Sequence, residues 1–235
     1  MIRIQNVTLA LDEDESHLLK KAAKKMGVRP DIIRELSILR RAIDARGDTV
    51  RRVYTVDVSV DGEQRILARR RRGVEAAPDI PVYHVPEAPD THRDVIVVGT
   101  GPAGLFAAYA LTLAGLSPLI LERGPEMAAR TRRVNAFWTS GGLDPEANVQ
   151  FGEGGAGTFS DGKLNSGIHD PRCRFVLEAF ADCGAPEDIL INAKPHIGTD
   201  RVRACVTVLR ERIIALGGQF RFDTRMTDLI VKDGA

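Results

Sequence analysis

Residues 94–124 read DVIVVGTGPAGLFAAYALTLAGLSPLILERG. Val95 to Val98 is a continuous apolar run, as expected of a central parallel strand covered on both faces. Gly99, Gly101 and Gly104 follow as G-x-G-x-x-G. The first glycine permits a tight turn, the second lets a backbone approach a pyrophosphate, and the third lets a helix pack against the strand. The helix that follows would aim its positive end and free amides at phosphate groups. Leu119 to Leu121 reads as the next strand. Glu122 at its tip lies roughly 20 residues past the glycines, where a carboxylate can accept hydrogen bonds from an adenosine ribose. Strand, glycines, helix, strand and acid occur in order, which sets the stretch apart from an isolated glycine turn and predicts a Rossmann-type dinucleotide site.

The helix continues with Ala108, Leu111 and Gly115 at positions that would face the sheet. An acid at position 122 suits NAD as well as FAD, so the chemistry alone leaves both open. This extended pattern, with Gly101-Pro102-Ala103-Gly104 and Glu122-Arg123-Gly124, resembles the FAD-binding motif of the glutathione-reductase-like flavoproteins. The resemblance implies FAD, with Pro102, Ala103 and Arg123 among the residues that hold it.

A second glycine-rich stretch, FGEGGAGTFSDGKL at 151–164, admits three readings. Gly157, Gly162 and Lys163 have the spacing of a phosphate-binding P-loop, but Leu164 stands where that loop needs a Ser or Thr to ligate magnesium. A flexible linker is disfavoured by Phe151, Phe159 and Leu164, which seek burial. The third reading is a second cofactor loop, since a main chain that approaches a flat ring or a pyrophosphate needs residues without side chains. Disulfide reductases of the superfamily carry a cysteine pair here; this loop has no cysteine.

The stretches RRVNAFWTSGGLDPEANVQFGEGGAGTFSDGKLNSGIHDP and AKPHIGTDRVRACVTVLRERIIALGGQFRFDTRMTDL look like the FAD-dependent dehydrogenase (NAD(FAD)-utilising) family of bacterial flavoproteins. That resemblance implies a small N-terminal ferredoxin-like α+β domain ahead of a Rossmann-type FAD domain. It also implies that Gly154, Gly155, Gly157 and Thr158 line the flavin. Leu36 to Arg46, ambiguous between helix and strand on its own pattern, becomes a strand paired with Val50 to Val60 across Arg46-Gly47-Asp48. Members continue well past position 235, so the FAD domain is expected to be incomplete at its C-terminus. The function implied is flavin-dependent oxidation-reduction of an undetermined small molecule, with NAD(P)H one candidate electron donor. No second G-x-G-x-x-G marks a nicotinamide site. The alternative is a non-catalytic dinucleotide-binding protein whose basic N-terminal module binds a partner or RNA.

Outward from these motifs the chain divides at Ala76 to Thr91, which carries four prolines and resists helix and sheet alike. The expected organisation is an α+β module at 1–75, a linker at 76–92 and the FAD domain at 93–235. In the module, Ile2 to Leu11 and Tyr54 to Val60 alternate as strands. Glu15 to Met26 has helical spacing with Gly27 as its stop. Beyond the FAD motif, Arg174 to Phe180 and Val202 to Leu216 read as helices, the second with Val202, Val206, Leu209, Ile213 and Leu216 on one face. Phe220 to Asp223 and Met226 to Lys232 read as strands, with a turn at Asp233-Gly234-Ala235.

Weaker candidates surround these. Lys163 could stabilise a reduced flavin or a phosphate, or pair with Asp161 on the surface. Lys194 and His196 could serve a flavin site, although Thr199 or Asp200 capping a helix from Arg201 explains that stretch more simply. Arg130, with Arg132 and Arg133, could reach the pyrophosphate bidentately or form a solvated helix face. Arg40, Arg41, Arg51, Arg52 and Arg69 to Arg72 are diluted by acids and lack aromatic neighbours, which disfavours nucleic acid.

Across 235 residues, 33 Lys and Arg balance 32 Asp and Glu, and 43% are hydrophobic, enough for a buried core. Cys173, Cys183 and Cys205 form no zinc or disulfide spacing and are expected in the core, reduced, in a cytoplasmic setting; no metal is expected. The N-terminus has no secretory pattern, and no apolar run is long enough to span a bilayer.

Overall fold

The computed structural model describes residues 1–89, 94–168 and 170–231. Two compact units form: Met1–Val82 with Glu187–Pro195, and Tyr83–Pro186 with His196–Ala235.

The first unit runs β1 (Ile2–Ala10), α1 (His17–Met26), β2 (Ile33–Asp44), β3 (Arg51–Val60), α2 (Glu63–Leu67) and β4 (Val74–Ala76). Its sheet has the order β2-β3-β1-β4 with every neighbouring pair antiparallel. The apolar positions of β1 are Ile2 and Ile4, then Val7 and Leu9, so the alternation changes phase midway. A strand keeps one face buried through such a change only by inserting a residue. The register shifts between Ile4 and Val7, and Asn6 takes φ 56° there. All four apolar side chains are buried, with Tyr54, Val56 and Val58 of β3 and Leu18, Ala22, Ala23 and Met26 of α1. Gly27 ends α1 in the left-handed region, its N–H reaching the Ala23 and Lys24 carbonyls.

The ambiguous stretch at 36–46 is strand β2 as far as Asp44, with Ala45 and Arg46 outside it. Its outer edge is covered from far along the chain: Arg41 N donates to Ile191 O at 2.7 Å and Ala193 N to Arg41 O at 2.8 Å. The proline-rich stretch forms no helix or strand over 77–89. Its positions 90–92 lie outside the described residues.

The second unit contains β5 (Ile96–Val98), α3 (Pro102–Leu113), β6 (Leu119–Leu121), α4 (Met127–Ser140), α5 (Pro171–Asp182), α6 (Thr199–Ala215) and β7 (Gln219–Arg221). The three strands form a parallel sheet in the order β5-β6-β7. The expectation that Val95 to Val98 is central and covered on both faces is therefore corrected. Among the described residues β5 is an edge strand paired with β6 alone, and Ile96 and Val98 are 57% and 56% exposed.

The helix α6 buries Val202, Val206, Leu209 and Ile213 as expected, but Leu216 lies beyond its last turn and is exposed. It begins at Thr199 rather than Arg201, behind Gly198. Neither expected cap acts: the Thr199 hydroxyl donates to Ser160 O, and Asp200 is exposed. Met226–Val231 forms no strand; Leu229, Ile230 and Val231 stand exposed without a ladder partner. Lys232 and the expected turn at 233–235 lie outside the described residues. Among the described residues no helix is long and apolar enough to cross a membrane.

Candidate functional site

At the end of β5, Gly99 turns the chain with φ 93°, and its N–H bonds Leu121 O of β6 at 2.7 Å. Gly101 precedes α3, and Pro102 occupies the first helical position, where a missing N–H costs nothing. A Cβ on Gly104 would stand 1.9 Å from Gly99 O, so only glycine lets α3 seat against the turn. Gly101 differs: a Cβ there would meet nothing within 4 Å. Its bare face borders a cleft of about 580 Å³, walled also by Gly99, Pro102, Glu122, Arg123 and Phe151. The first-turn amides of Ala103 and Gly104 have no intrahelical acceptor, and the positive end of α3 adds to them. Neither of these two residues forms part of the cleft wall.

Glu122 sits at the tip of β6 and is 3% exposed. Its Oε2 accepts from Thr100 N at 2.8 Å and Thr100 Oγ1 at 2.6 Å, and its Oε1 accepts from Gly124 N at 2.8 Å. A carboxylate offers about four lone-pair positions, so the protein uses three and leaves room for one further donor. Thr100, which the glycine pattern passes over, is the hub of the site. Its carbonyl also accepts from Gly154 N at 2.8 Å, tying the second glycine loop to the first turn. Nothing in the G-T-G tripeptide distinguishes that threonine from any other spacer.

The second loop owes Gly152, Gly154 and Gly155 to the protein's own packing. Cβ atoms at Gly152, Gly154 and Gly155 would come within 2.8 Å of Arg130 Nε, 2.5 Å of Thr158 Cγ2 and 2.7 Å of Pro102 Cδ. All three have positive φ. Gly155 joins the cleft wall with Gly152 and Ala156. Gly154, Gly157 and Thr158, implied by resemblance to line the flavin, do not. Gly154 and Thr158 are buried beneath the loop, where the Thr158 hydroxyl donates to Gly155 O at 2.7 Å, and Gly157 faces open space.

Arg130 is fully buried. Its Nε and Nη2 donate to Asn148 O at 3.1 and 3.0 Å, and its Nη1 to Glu153 O at 2.5 Å, Gly155 O at 3.1 Å and Thr158 Oγ1 at 3.0 Å. The expected contact with a pyrophosphate is thus replaced by another role: the guanidinium fastens the loop's carbonyls. Desolvation lowers its pKa to about 10, so it stays charged at neutral pH. Arg132 is exposed and Arg133 pairs with Asp144 at 3.0 Å, which fits a solvated face.

Glu153 is the other residue missed from the sequence. It is fully buried, accepts from Met127 N, and pairs with Arg210 of α6 at 2.9 Å. Burial pushes its pKa up to about 6 against the pull of Arg210. Arg123 pairs with Glu146 and lies 5.1 Å above the Phe151 ring at the cleft mouth.

Lys163 and His196 are brought together by a backbone bridge, with Ile197 N bonded to Gly162 O at 2.9 Å. Both are exposed and neither walls the cleft; Lys163 pairs with Asp161 at 2.8 Å, which raises its pKa. Lys194 belongs to the first unit and His196 to the second. Cys183 and Cys205 are buried, which pushes the Cys183 thiol up to about 11 and raises that of Cys205; Cys173 is only half-buried, short of the core position expected. No metal-binding group of His, Cys, Asp and Glu occurs among the described residues.

Residues 1–59 match a domain of unknown function (DUF8436). A protein of Clostridium beijerinckii, described as uncharacterized, is 40% identical over 241 residues; the match covers 99% of this chain and 44% of that protein. The chain therefore spans less than half the length of that relative. Residues 94–191 match the family described as FAD dependent oxidoreductase, and the glycine turn, Glu122 and the loop fastened by Arg130 all lie within the matched stretch.

Proposed function

We propose that the second unit binds FAD in the cleft beside Gly101, and that the protein acts as a flavin-dependent oxidoreductase on a small molecule. The observation that carries this reading is the contrast between two glycines of one motif. Gly104 is required by the fold, whereas Gly101 leaves open space at the positive end of α3.

In this reading the pyrophosphate lies in the cleft against Gly101, within the field of the positive end of α3. Glu122, fixed by Thr100 and Gly124, offers its remaining lone pair to a ribose hydroxyl. Phe151, Gly152 and Gly155 border the cofactor's path, and Arg130 keeps that border rigid from behind. When bound, the flavin supplies the hydride and electron transfer that no side chain provides. Electron donor and substrate are open to assay, with NAD(P)H the first donor to test. The first unit reads as a ferredoxin-like module; its β-α-β-β-α-β order and the strand order β4-β1-β3-β2 support this.

The test is an absorbance spectrum of the purified chain, before and after adding FAD and removing the excess. Flavin bands that remain with the protein and are released on denaturation are expected. A protein that stays colourless after incubation with FAD contradicts the reading.

A further inference from the structure

The first unit holds a second cavity, of about 670 Å³, at the outer edge of β2 where Glu187–Pro195 crosses it. Arg40, Arg41, Arg52 and Lys194 line it, and no carboxylate does. Arg41 is held rigid: Nε bonds Asn192 Oδ1 at 2.9 Å, Nη1 reaches Glu15 at 3.2 Å and Nη2 reaches Asp188 at 3.1 Å. Arg52 Nη1 stands 3.8 Å from the same Glu15, and its Nη2 donates to the carbonyls of Ala10 and Glu13. Arg52 Nε is buried and has no acceptor among the described residues.

Arg40 and Lys194 have no ion-pair partner among the described residues. The nearby Asp44 is taken by Arg46 at 2.8 Å. Four cations are thus answered by two carboxylates, Glu15 and Asp188, both engaged with Arg41. The excess surrounds one cavity, whose remaining wall is Asn192, already bonded to Arg41, and the apolar Ala42, Ile43 and Ala193, with Ile43 71% exposed.

We propose that this cavity is a binding site for a small organic phosphate monoester. Such a head group carries nearly two negative charges at neutral pH and accepts several hydrogen bonds at once. Guanidinium forks match phosphate geometry, and Lys194 adds a movable point charge. The carbon skeleton would lie along Ile43 and Ala193. A dicarboxylate would spread the same charge over a longer ligand, which a single cluster of cations fits less well. The site is separate from the cleft beside Gly101 and does not depend on the flavin reading.

Equilibrium dialysis of the whole chain at pH 7.5 against phenyl phosphate, at ionic strength fixed with chloride, tests the proposal. Saturable uptake of one equivalent is expected. Benzenesulfonate, with the same ring and a single charge, should bind at least tenfold more weakly. The exposed pair Arg40→Ala and Lys194→Ala should together weaken phenyl phosphate at least tenfold while leaving the far-ultraviolet circular dichroism unchanged; Lys194→Glu alone serves if the pair misfolds. Gly101→Val, altered in the other unit, should bind phenyl phosphate as the unaltered chain does. Uptake that is not saturable overturns the proposal. So does equal affinity for benzenesulfonate, or retention of binding in the folded variants.

Discussion

Glu122 was readable as the acid at a strand tip, but its bonds to Thr100 and Gly124 were not, because they depend on how two turns face each other. The carboxylate receives donors at both oxygens. Glu122→Gln would set an amide N–H₂ against one of them, and a urea titration is expected to show a loss of about 1–3 kcal/mol. An unchanged midpoint and slope would count against the network. Arg130 shows the limit of sequence reading more sharply. Three arginines close together predict solvent or a phosphate, and only the carbonyls offered by residues 148–155 decide that one of them is buried. Glu153 was likewise hidden among glycines, and its burial gives a pH signature. Its pKa is about 6 in the fold against 4.5 as the ordinary value, so folding favours the protonated form. That contribution is fully present below pH 4.5, is lost as pH rises to 6, and is flat above; it amounts to roughly 2 kcal/mol. The stability difference between the unaltered chain and Glu153→Gln is therefore expected to change across pH 4.5–6 and to level off by pH 7. A difference constant from pH 4 to 8 would contradict the assignment.

Among the elements, those with strong local periodicity were legible: α1 with its Gly27 stop, β3, α3 and α6. The phase change in β1 is also written in the sequence, as Ile2 and Ile4 followed by Val7 and Leu9, and the bulge at Asn6 is its physical consequence. Periodicity says which residues seek burial but not which strand lies alongside. Hence β5 read as central and stands at an edge, and Met226 to Lys232 read as a strand but, over its described residues 226–231, has no described partner to make it one. The close seating of α3 on the β5 turn gives a test at this scale. Gly104→Ala places a methyl 1.9 Å from a backbone oxygen that no rotamer change can move. A loss of about 3 kcal/mol is expected from chemical denaturation, and a loss under about 0.5 kcal/mol, ordinary for a tolerated substitution, would show that the helix is not so constrained.

At the scale of the molecule, the proline-rich stretch separates two patterns, but no local signal announces that Glu187–Pro195 belongs with the first unit. That association comes from long-range pairing, with the backbone of Arg41 bonded to Ile191 and Ala193 and its side chain to Asp188 and Asn192. Arg41→Ala should loosen the segment, raising amide exchange at Ala193 about fivefold, as suits a partly exposed ion pair worth about 1 kcal/mol; unchanged exchange would show that the side chain contributes nothing to its docking. The central claim is that the open face of Gly101 is where a dinucleotide lies. Its most direct test is a fluorescence titration of FAD into the unaltered chain and Gly101→Val. The backbone at Gly101, φ −62° and ψ 177°, accepts valine, and the new Cβ meets no protein atom within 4 Å. The variant is therefore expected to fold with the same thermal midpoint and to lose FAD affinity by about a hundredfold or more, a cost near 3 kcal/mol. Equal FAD affinity in the two folded proteins would contradict the account.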